Sequence, residues 1–536
     1  MKMETMKMKK KNAVNKTEKK VLIYDTTLRD GTQAEGISLS LQDKIAIAKK
    51  LDQFGVHYIE GGWPGSNPKD LAFFKEIKKA EIKNAKIAAF GSTRRMNSKV
   101  QDDTNIKALL ESKTSVITIF GKASDFHVTE VFRTTLKENL AMISDSVAYL
   151  KSKKKEVIFD SEHFFDGFKA NPEYAIETLQ AAAQAGADNL TLCDTNGGTL
   201  PHEIRQAILA VKQAVNLPLG IHCHNDAELA VANSVQAVDE GCYLVQGTVN
   251  GIGERCGNAN LMSIIPILQL KMGMKCFTDK RLEELTHLSH YVAEICNLPL
   301  QINQPFTGRA AFAHKGGVHI NAMMKNPGTY EHMEPSKIGN HRRYLISELG
   351  GKTNIMMKAQ ELKLDLKKES PETKKILNEI QKLENEGYQF EAAEASFEIL
   401  VKKLAGQAKD FFEVLKVAVR SEHTGSGSAV SVAEVKIKAN NEIYFEVAEG
   451  DGPVNALDRA FKKALRKSYR IIDECHLTDY KVRVVNSQAG TAAKVRVFIE
   501  FQDKEKVWTT VGVHENVIEA SWQALVDATQ YKLLKG

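Results

Sequence analysis

From Val21 to about Gly273 the chain alternates short apolar runs with longer amphipathic segments, eight times over. The runs are Val21–Asp25, Val56–Glu60, Lys86–Phe90, Ser115–Phe120, Glu156–Phe159, Asn189–Cys193, Leu217–His222 and Tyr243–Val249. Between them lie segments such as Leu41–Phe54, Asp70–Lys79, Leu136–Lys151, Tyr174–Gly186, His202–Val215 and Leu229–Gly241. Their apolar residues recur at three and four, as in Ile45, Ala48 and Leu51, which is the period of a half-buried helix. Eight strand–helix units in about 250 residues predict a parallel TIM (β/α)8 barrel.

In a barrel of this kind the active site lies at the C-terminal ends of the strands. Polar residues gather there: Arg29, Asp30 and Gln33 after the first run, Glu60 at the second, Glu162 after the fifth, and Asp194 and Thr195 after the sixth. His222 and His224 sit on the seventh, and Asn250, Glu254, Arg255 and Asn258 follow the eighth. A structural layer of salt bridges accounts for one or two such residues, not for this many at one end. Positions i and i+2 of a strand share a face, so His222 and His224 can grip one metal ion. An Asp from elsewhere, Asp30, completes a two-His, one-carboxylate set with open positions, which marks a catalytic metal rather than a structural one. Cys223, between the two His, faces the other way and is assigned to packing.

Such a metal can chelate a 2-oxoacid and polarise its ketone. Arg29, next to Asp30, can stabilise charge developing on the former ketone oxygen, or simply neutralise Asp30. Glu162 can serve as a base, or support the metal or Arg29. This set suits the making or breaking of a carbon–carbon bond beside a metal-bound oxygen. The residues alone leave condensation, aldol cleavage and carboxyl transfer open.

The chain has 536 residues, too many for a single core. The Lys-rich tail 1–20 carries eight Lys and two Glu, a local charge of +6 that equals the formal charge of the whole chain. The body is therefore near neutral, which argues against a nucleic-acid partner. The tail has no apolar core of a secretory signal and reads as a solvated, disordered segment. No apolar stretch is long enough to span a bilayer. The seven Cys are scattered, without a Cys-x-x-Cys, as expected of reduced thiols in a cytoplasmic protein.

After the barrel, Asp279–Cys296 reads as a helix, Leu298–Asn340 as a loop-rich lid or platform, and Tyr344 to about Leu404 as a charged helical linker. Phe411–Gly536 holds an internal repeat. Val414–Arg420, Ala429–Lys438 and Glu442–Ala448 read as strands before a helix at Asn455–Ser468; Tyr480–Asn486, Lys494–Phe501 and Val507–Val513 read as strands before a helix at Val517–Thr529. The expected fold class is α/β: a barrel at 21–285, helical linker subdomains at 286–405, and a C-terminal α+β regulatory domain of two βββα repeats at 406–536. The Gly450-Asp451-Gly452-Pro453 turn into the first of these helices is either a simple capped turn or an anion-binding helix start.

Three motifs carry a specific resemblance. Tyr24-Asp25-Thr26-Thr27-Leu28-Arg29-Asp30-Gly31-Thr32-Gln33, His222-Cys223-His224-Asn225-Asp226 and Gly251-Ile252-Gly253-Glu254-Arg255-Cys256-Gly257-Asn258 resemble the first-, seventh- and eighth-strand motifs of the DRE-TIM metallolyases. The C-terminal repeat is similar to the regulatory domain of the 2-isopropylmalate synthase / homocitrate synthase family within that group. Glu60-Gly61-Gly62-Trp63-Pro64-Gly65-Ser66-Asn67-Pro68-Lys69-Asp70 resembles the branch that uses pyruvate. The resemblance implies condensation of acetyl-CoA, the co-substrate, with pyruvate to citramalate and CoA, in isoleucine biosynthesis. It further implies Asp30, His222 and His224 as ligands of a divalent metal (Mg2+, Mn2+ or Zn2+) with Asn258 beside it, and Arg29 as the group polarising the ketone. Gln33 and Thr195 would bind substrate, and Glu162 would hold or activate it. His319 and Tyr330 would assist deprotonation of the acetyl group, reaching the neighbouring subunit's site in a homodimer. Thr32 replaces a Glu common in the family, and the stretch Asp160-Ser161-Glu162-His163 departs from the usual form. A small amino-acid effector, isoleucine first, is expected at the C-terminal domain. The rival readings are 2-isopropylmalate synthase with a 2-oxoisovalerate acceptor, a lyase or biotin-dependent carboxyltransferase on the same barrel, and a non-catalytic amino-acid sensor.

Overall fold

The computed structural model describes residues 20–345, 371–423, 429–485, 490, 492–504 and 506–535. The tail read at 1–20 lies outside them apart from Lys20, as does the 346–370 part of the linker. The chain divides into two compact units, Met1–Phe312 with Met333–Arg342 and Ala313–His332 with Arg343–Gly536.

The first unit is a closed parallel barrel in strand order one to eight. Its strands are β1 (Leu22–Asp25), β2 (Tyr58–Glu60), β3 (Lys86–Ser92), β4 (Val116–Lys122), β5 (Glu156–Glu162), β6 (Asn189–Asp194), β7 (Leu219–Cys223) and β8 (Leu244–Gly247). The longest helices between them are Leu41–Phe54, Leu136–Ser152, Pro172–Gln184 and Pro201–Ala214. Sequence dictates these locally. The Leu41 helix starts where Ser40 and Asp43 form a reciprocal capping box, and it stops at Gly55, whose φ of 99° an L-residue with a Cβ rarely adopts. Its Ile47, Ala48 and Leu51 are wholly buried in the layer between strands and helices.

Strand alternation then decides what fills the barrel. Tyr24, Tyr58, Ala88, Val116, Ile158 and Leu244 form a separate apolar plug inside it. Two residues further along the strands the same inward face carries Glu60, Phe90, Thr118, Asp160 and Gln246. The barrel is thus apolar at its base and polar toward the C-terminal mouth. Glu162 and Asp194 are the last residues of their strands rather than residues beyond them. His224 lies one residue past β7, tied to Asn258 by an isolated bridge. The helix read at Asp279–Cys296 is two helices, Asp279–Leu282 and Leu285–Ile295.

In the second unit, Ala313–His314 pairs in parallel with Arg343–Tyr344. The stretch expected to be loop contains a nine-residue helix, Gly317–Lys325. Its buried face is only Ile320 and Met323, too few apolar residues to set a helical period. Two antiparallel three-stranded sheets follow: Phe412–His423, Ala429–Ala439 and Glu442–Gly450, then His476–Val484, Val495–Gln502 and Val507–His514. Each is backed by a helix, Pro453–Leu465 and Val517–Lys535, confirming two βββα repeats. One core joins them, with Phe461 packed edge-on against Trp522 at 4.7 Å between ring centres. Among the described residues no helix is long and apolar enough to cross a membrane.

Candidate metal centre and active site

Asp30 lies in the loop after β1, five residues past its end, His222 is on β7 and His224 is one residue beyond it. The barrel brings all three to one point, where a carboxylate oxygen and two ring nitrogens lie within 4.8 Å of one another. Asp30 Oδ2 is 3.5 Å from His222 Nε2 and 3.8 Å from His224 Nε2, and the two nitrogens are 3.4 Å apart. Three donors on one face of an octahedron with bonds of about 2.1 Å stand about 3 Å apart, so the triangle is close to what a divalent cation needs.

The surroundings fit the same reading. Asp30 Oδ1, His224 Nδ1 and Asn258 Oδ1 are buried without a hydrogen-bond partner, a costly state for polar atoms. Burial alone would raise the Asp30 pKa, but Arg29, then His222 and His224, hold it down to about 2. Burial also pushes His222 down, against the pull of Asp30, and takes His224 to about 4. These shifts favour neutral imidazoles and an ionised Asp30, the protonation states a metal requires.

Arg29 is held on three sides. Its Nε donates to Glu60 Oε2 at 2.6 Å, its Nη1 to Asp30 Oδ2 at 3.1 Å, and its guanidinium lies 3.8 Å over the Phe90 ring. Glu60 is wholly buried; Tyr24 donates to its other oxygen at 2.7 Å, and Thr26 donates to the oxygen that Arg29 contacts. A cleft of about 280 Å³ opens over this centre, bordered by Arg29, Asp30, Gln33, Thr195, Glu162 and Glu254 among others. One wall is aromatic: Phe90 and Phe120 stack at 5.5 Å, and Trp63 meets both edge-on at 5.9 and 5.6 Å. Trp63 is pinned by Nε1 donation to Asn105 Oδ1 at 2.7 Å.

The loop after β8 is conformationally strained. Asn250 and Arg255 take φ of 62° and 55°, and Gly257 takes 91°, where a Cβ would run into the Gly251 carbonyl oxygen. This tight course places Asn258 beside the triad. Arg255 Nε and Nη2 clamp the two Asp226 oxygens at 2.7 and 2.9 Å, and Arg255 Nη2 also donates to the Thr195 carbonyl. Thr195 Oγ1 accepts from the backbone N–H of His163, which follows Glu162 in the left-handed region at φ 58°. Glu162 is ion-paired with Lys122. Asp194 accepts from the Thr199 hydroxyl and staples its own loop. Cys223 is buried in the strand–helix core. His319 and Tyr330 belong to the second unit, where their rings stack at 4.1 Å.

Sequence reading assigned no role to Trp63, Phe90, Phe120, Lys122, Asp160 or Gln246. A period-two count along β4, β5 and β8 would have pointed several of them inward, since Asp160 shares a face with Ile158, and Gln246 with Leu244.

A closed parallel barrel with two His, one Asp and a locked Arg at the C-terminal mouth defines a metal-binding (β/α)8-barrel enzyme. The chain belongs to the HMGL-like family, whose model matches residues 20–292. Residues 306–388 match the homocitrate synthase post-HMGL domain-like model, and residues 391–533 the LeuA allosteric (dimerisation) domain. An (R)-citramalate synthase of Geobacter sulfurreducens is 54% identical over 516 residues, covering 96% of this chain and 98% of that protein. One of Aquifex aeolicus is 54% identical over 519 residues, with 96% and 98% covered. A probable 2-isopropylmalate synthase of Methanopyrus kandleri is 30% identical over 507 residues, with 95% and 97% covered.

Proposed function

We propose that this chain is an (R)-citramalate synthase, condensing acetyl-CoA with pyruvate and water to citramalate and CoA. The observation that carries the reading is the Asp30–His222–His224 triangle with the Arg29 guanidinium locked beside it. Similarity over nearly the whole chain supports the same acceptor, at 54% to (R)-citramalate synthases against 30% to 2-isopropylmalate synthase. The intact ligand set argues against a non-catalytic sensor.

A divalent cation, Mg2+, Mn2+ or Zn2+, held by Asp30, His222 and His224 with Asn258 beside them, supplies a Lewis acid to a 2-oxoacid. Arg29 holds the charge that develops on the former ketone oxygen. Its fixed geometry matters because a donor already in place costs no reorganisation during the reaction. The Trp63–Phe90–Phe120 wall limits the acceptor side chain, favouring a methyl group over a branched one. Gln33 and Thr195 orient the substrate, and Glu162, anchored by Lys122, positions it. We assign removal of the acetyl methyl proton to His319 and Tyr330. The carbanion then attacks the ketone, and water cleaves the resulting thioester to release CoA.

The C-terminal repeat is read as the seat of a homodimer contact and of feedback inhibition by isoleucine, a coupling between two sites. The match to the LeuA allosteric (dimerisation) domain supports this. We place the reaction in the cytoplasm; all seven cysteines stand unpaired, as in a reducing compartment.

The test is thiol release from acetyl-CoA with Mg2+ or Mn2+, comparing pyruvate, 2-oxoisovalerate, 2-oxoglutarate and no acceptor. Release with pyruvate far above the rest is expected. A preference for 2-oxoisovalerate would assign the chain to 2-isopropylmalate synthesis instead, and no release with any acceptor would remove the synthase reading.

A further inference from the structure

We propose that Gln246 is a positioning residue for the metal centre: its carboxamide fixes the tautomer of His222 and so turns the Nε2 lone pair toward Asp30 and His224. The inference rests on the metal reading above and adds to it the side chains that prepare one ligand.

Gln246 is wholly buried on β8 and stands opposite His222 in the β7–β8 register. Its Oε1 is 3.0 Å from His222 Nδ1. Its Nε2 donates to Asp160 Oδ1 at 2.9 Å and to Thr191 Oγ1 at 3.4 Å. A carboxamide has one accepting end and one donating end, so whatever fixes one end fixes the other.

The direction can be traced back to a group that has no choice. The Pro218 main-chain carbonyl only accepts, and Asn189 Nδ2 donates to it at 3.0 Å. Asn189 therefore presents Oδ1 to Thr191, whose hydroxyl donates to it at 2.8 Å. With its proton committed there, Thr191 Oγ1 has only lone pairs left for Gln246 and must accept from it. Asp160 Oδ1 accepts from the same NH2 group. Gln246 thus faces His222 with Oε1, and a ring nitrogen against an acceptor carries the proton. A neutral imidazole has one N–H, so Nε2 is left with its lone pair, pointing into the triangle. The opposite amide orientation would put the proton on Nε2, where it blocks a cation. Asn189, Thr191, Asp160 and His222 are all at most 5% exposed, so bulk solvent has little access to these bonds.

The test uses the full-length protein labelled with 15N-histidine, and Mn2+ as the probe. Two-bond 1H–15N spectra of the metal-free wild type should show His222 with its proton on Nδ1; a proton on Nε2 would overturn the proposal. Titration calorimetry should show Gln246→Leu binding Mn2+ about 10- to 100-fold more weakly than wild type, the usual cost of losing a ligand's supporting partner. Gln246→Glu keeps an acceptor against Nδ1 and should bind Mn2+ far more tightly than the Leu variant. Equal losses in the Glu and Leu variants would mean that Gln246 only fills space, and wild-type affinity in the Leu variant would end the proposal outright. If the Leu variant does not fold, Thr191→Val breaks the same chain one link earlier and should weaken Mn2+ binding and mix the His222 tautomers. Failure of the wild type to bind Mn2+ would refute the metal reading itself, a result separate from the tautomer.

Discussion

Arg29 Nε lies 2.6 Å from Glu60 Oε2, and that carboxylate is wholly buried at the end of β2. A buried carboxylate is tolerated only when paired, so this contact fixes the guanidinium rather than leaving it on a flexible stem. Glu60→Gln should lower kcat about 100-fold, comparable to losing one preorganised donor to a developing oxyanion. Guanidinium melts should also show a loss of about 3 kcal/mol, because Arg29 is left with only Asp30 as its charge partner. Wild-type kcat in this variant would show that Arg29 does not need its anchor.

Asp30→Ala and His222→Ala are expected to abolish CoA release. Chelation should silence the wild type reversibly, and added Mn2+ should restore the wild type and neither variant. Full activity in either variant would take the metal out of the scheme.

Phe120 is one of the three rings of the aromatic wall, stacked on Phe90 and met edge-on by Trp63. Phe120→Ala should raise the ratio of kcat/KM for 2-oxoisovalerate over pyruvate at least about 10-fold, the scale of methylene discrimination in a pocket. An unchanged ratio would place acceptor selection elsewhere.

A chain ending near Phe411 should lose any response to isoleucine. If it kept both turnover and isoleucine sensitivity, the effector site would not be in the C-terminal repeat. Binding of isoleucine to the full chain, measured by calorimetry, should in turn weaken acetyl-CoA or pyruvate binding, since coupling is reciprocal.

Asp25 is wholly buried and its pKa is pushed up to about 7 by burial, against two hydrogen bonds from Thr27. A carboxyl raised above its unfolded value of about 3.9 binds more protons in the native state, so stability is lost as pH rises from about 4 through 7. Asp25→Asn should flatten this part of the pH profile, read as the denaturation midpoint of the metal-free protein between pH 5 and pH 8. A profile that falls as steeply in the variant would assign the effect to another group.

The barrel was legible from local pattern because each element declares itself. Leu41–Phe54 matches the observed helix residue for residue, since its apolar stripe and caps are local. Local pattern ends the β5 run at Phe159, whereas the strand continues to Glu162, because Asp160 and Glu162 look like loop residues until a barrel interior is there to hold them. The helix at Gly317–Lys325 is not legible in the sequence because two buried residues do not make a period.

Sequence alone determined the eight-unit alternation, the paired βββα repeat and the candidate triad, because helical and strand periods are set by neighbours a few positions apart. Tertiary structure decided which distant residues meet. It set Asp30 3.5 Å from His222, built a wall from Trp63, Phe90 and Phe120, and brought Pro218, Asn189, Thr191, Gln246 and His222 into successive hydrogen-bond contact. No local pattern encodes those outcomes: they follow from strand order, register and closure, which fix what lies opposite each inward-facing side chain.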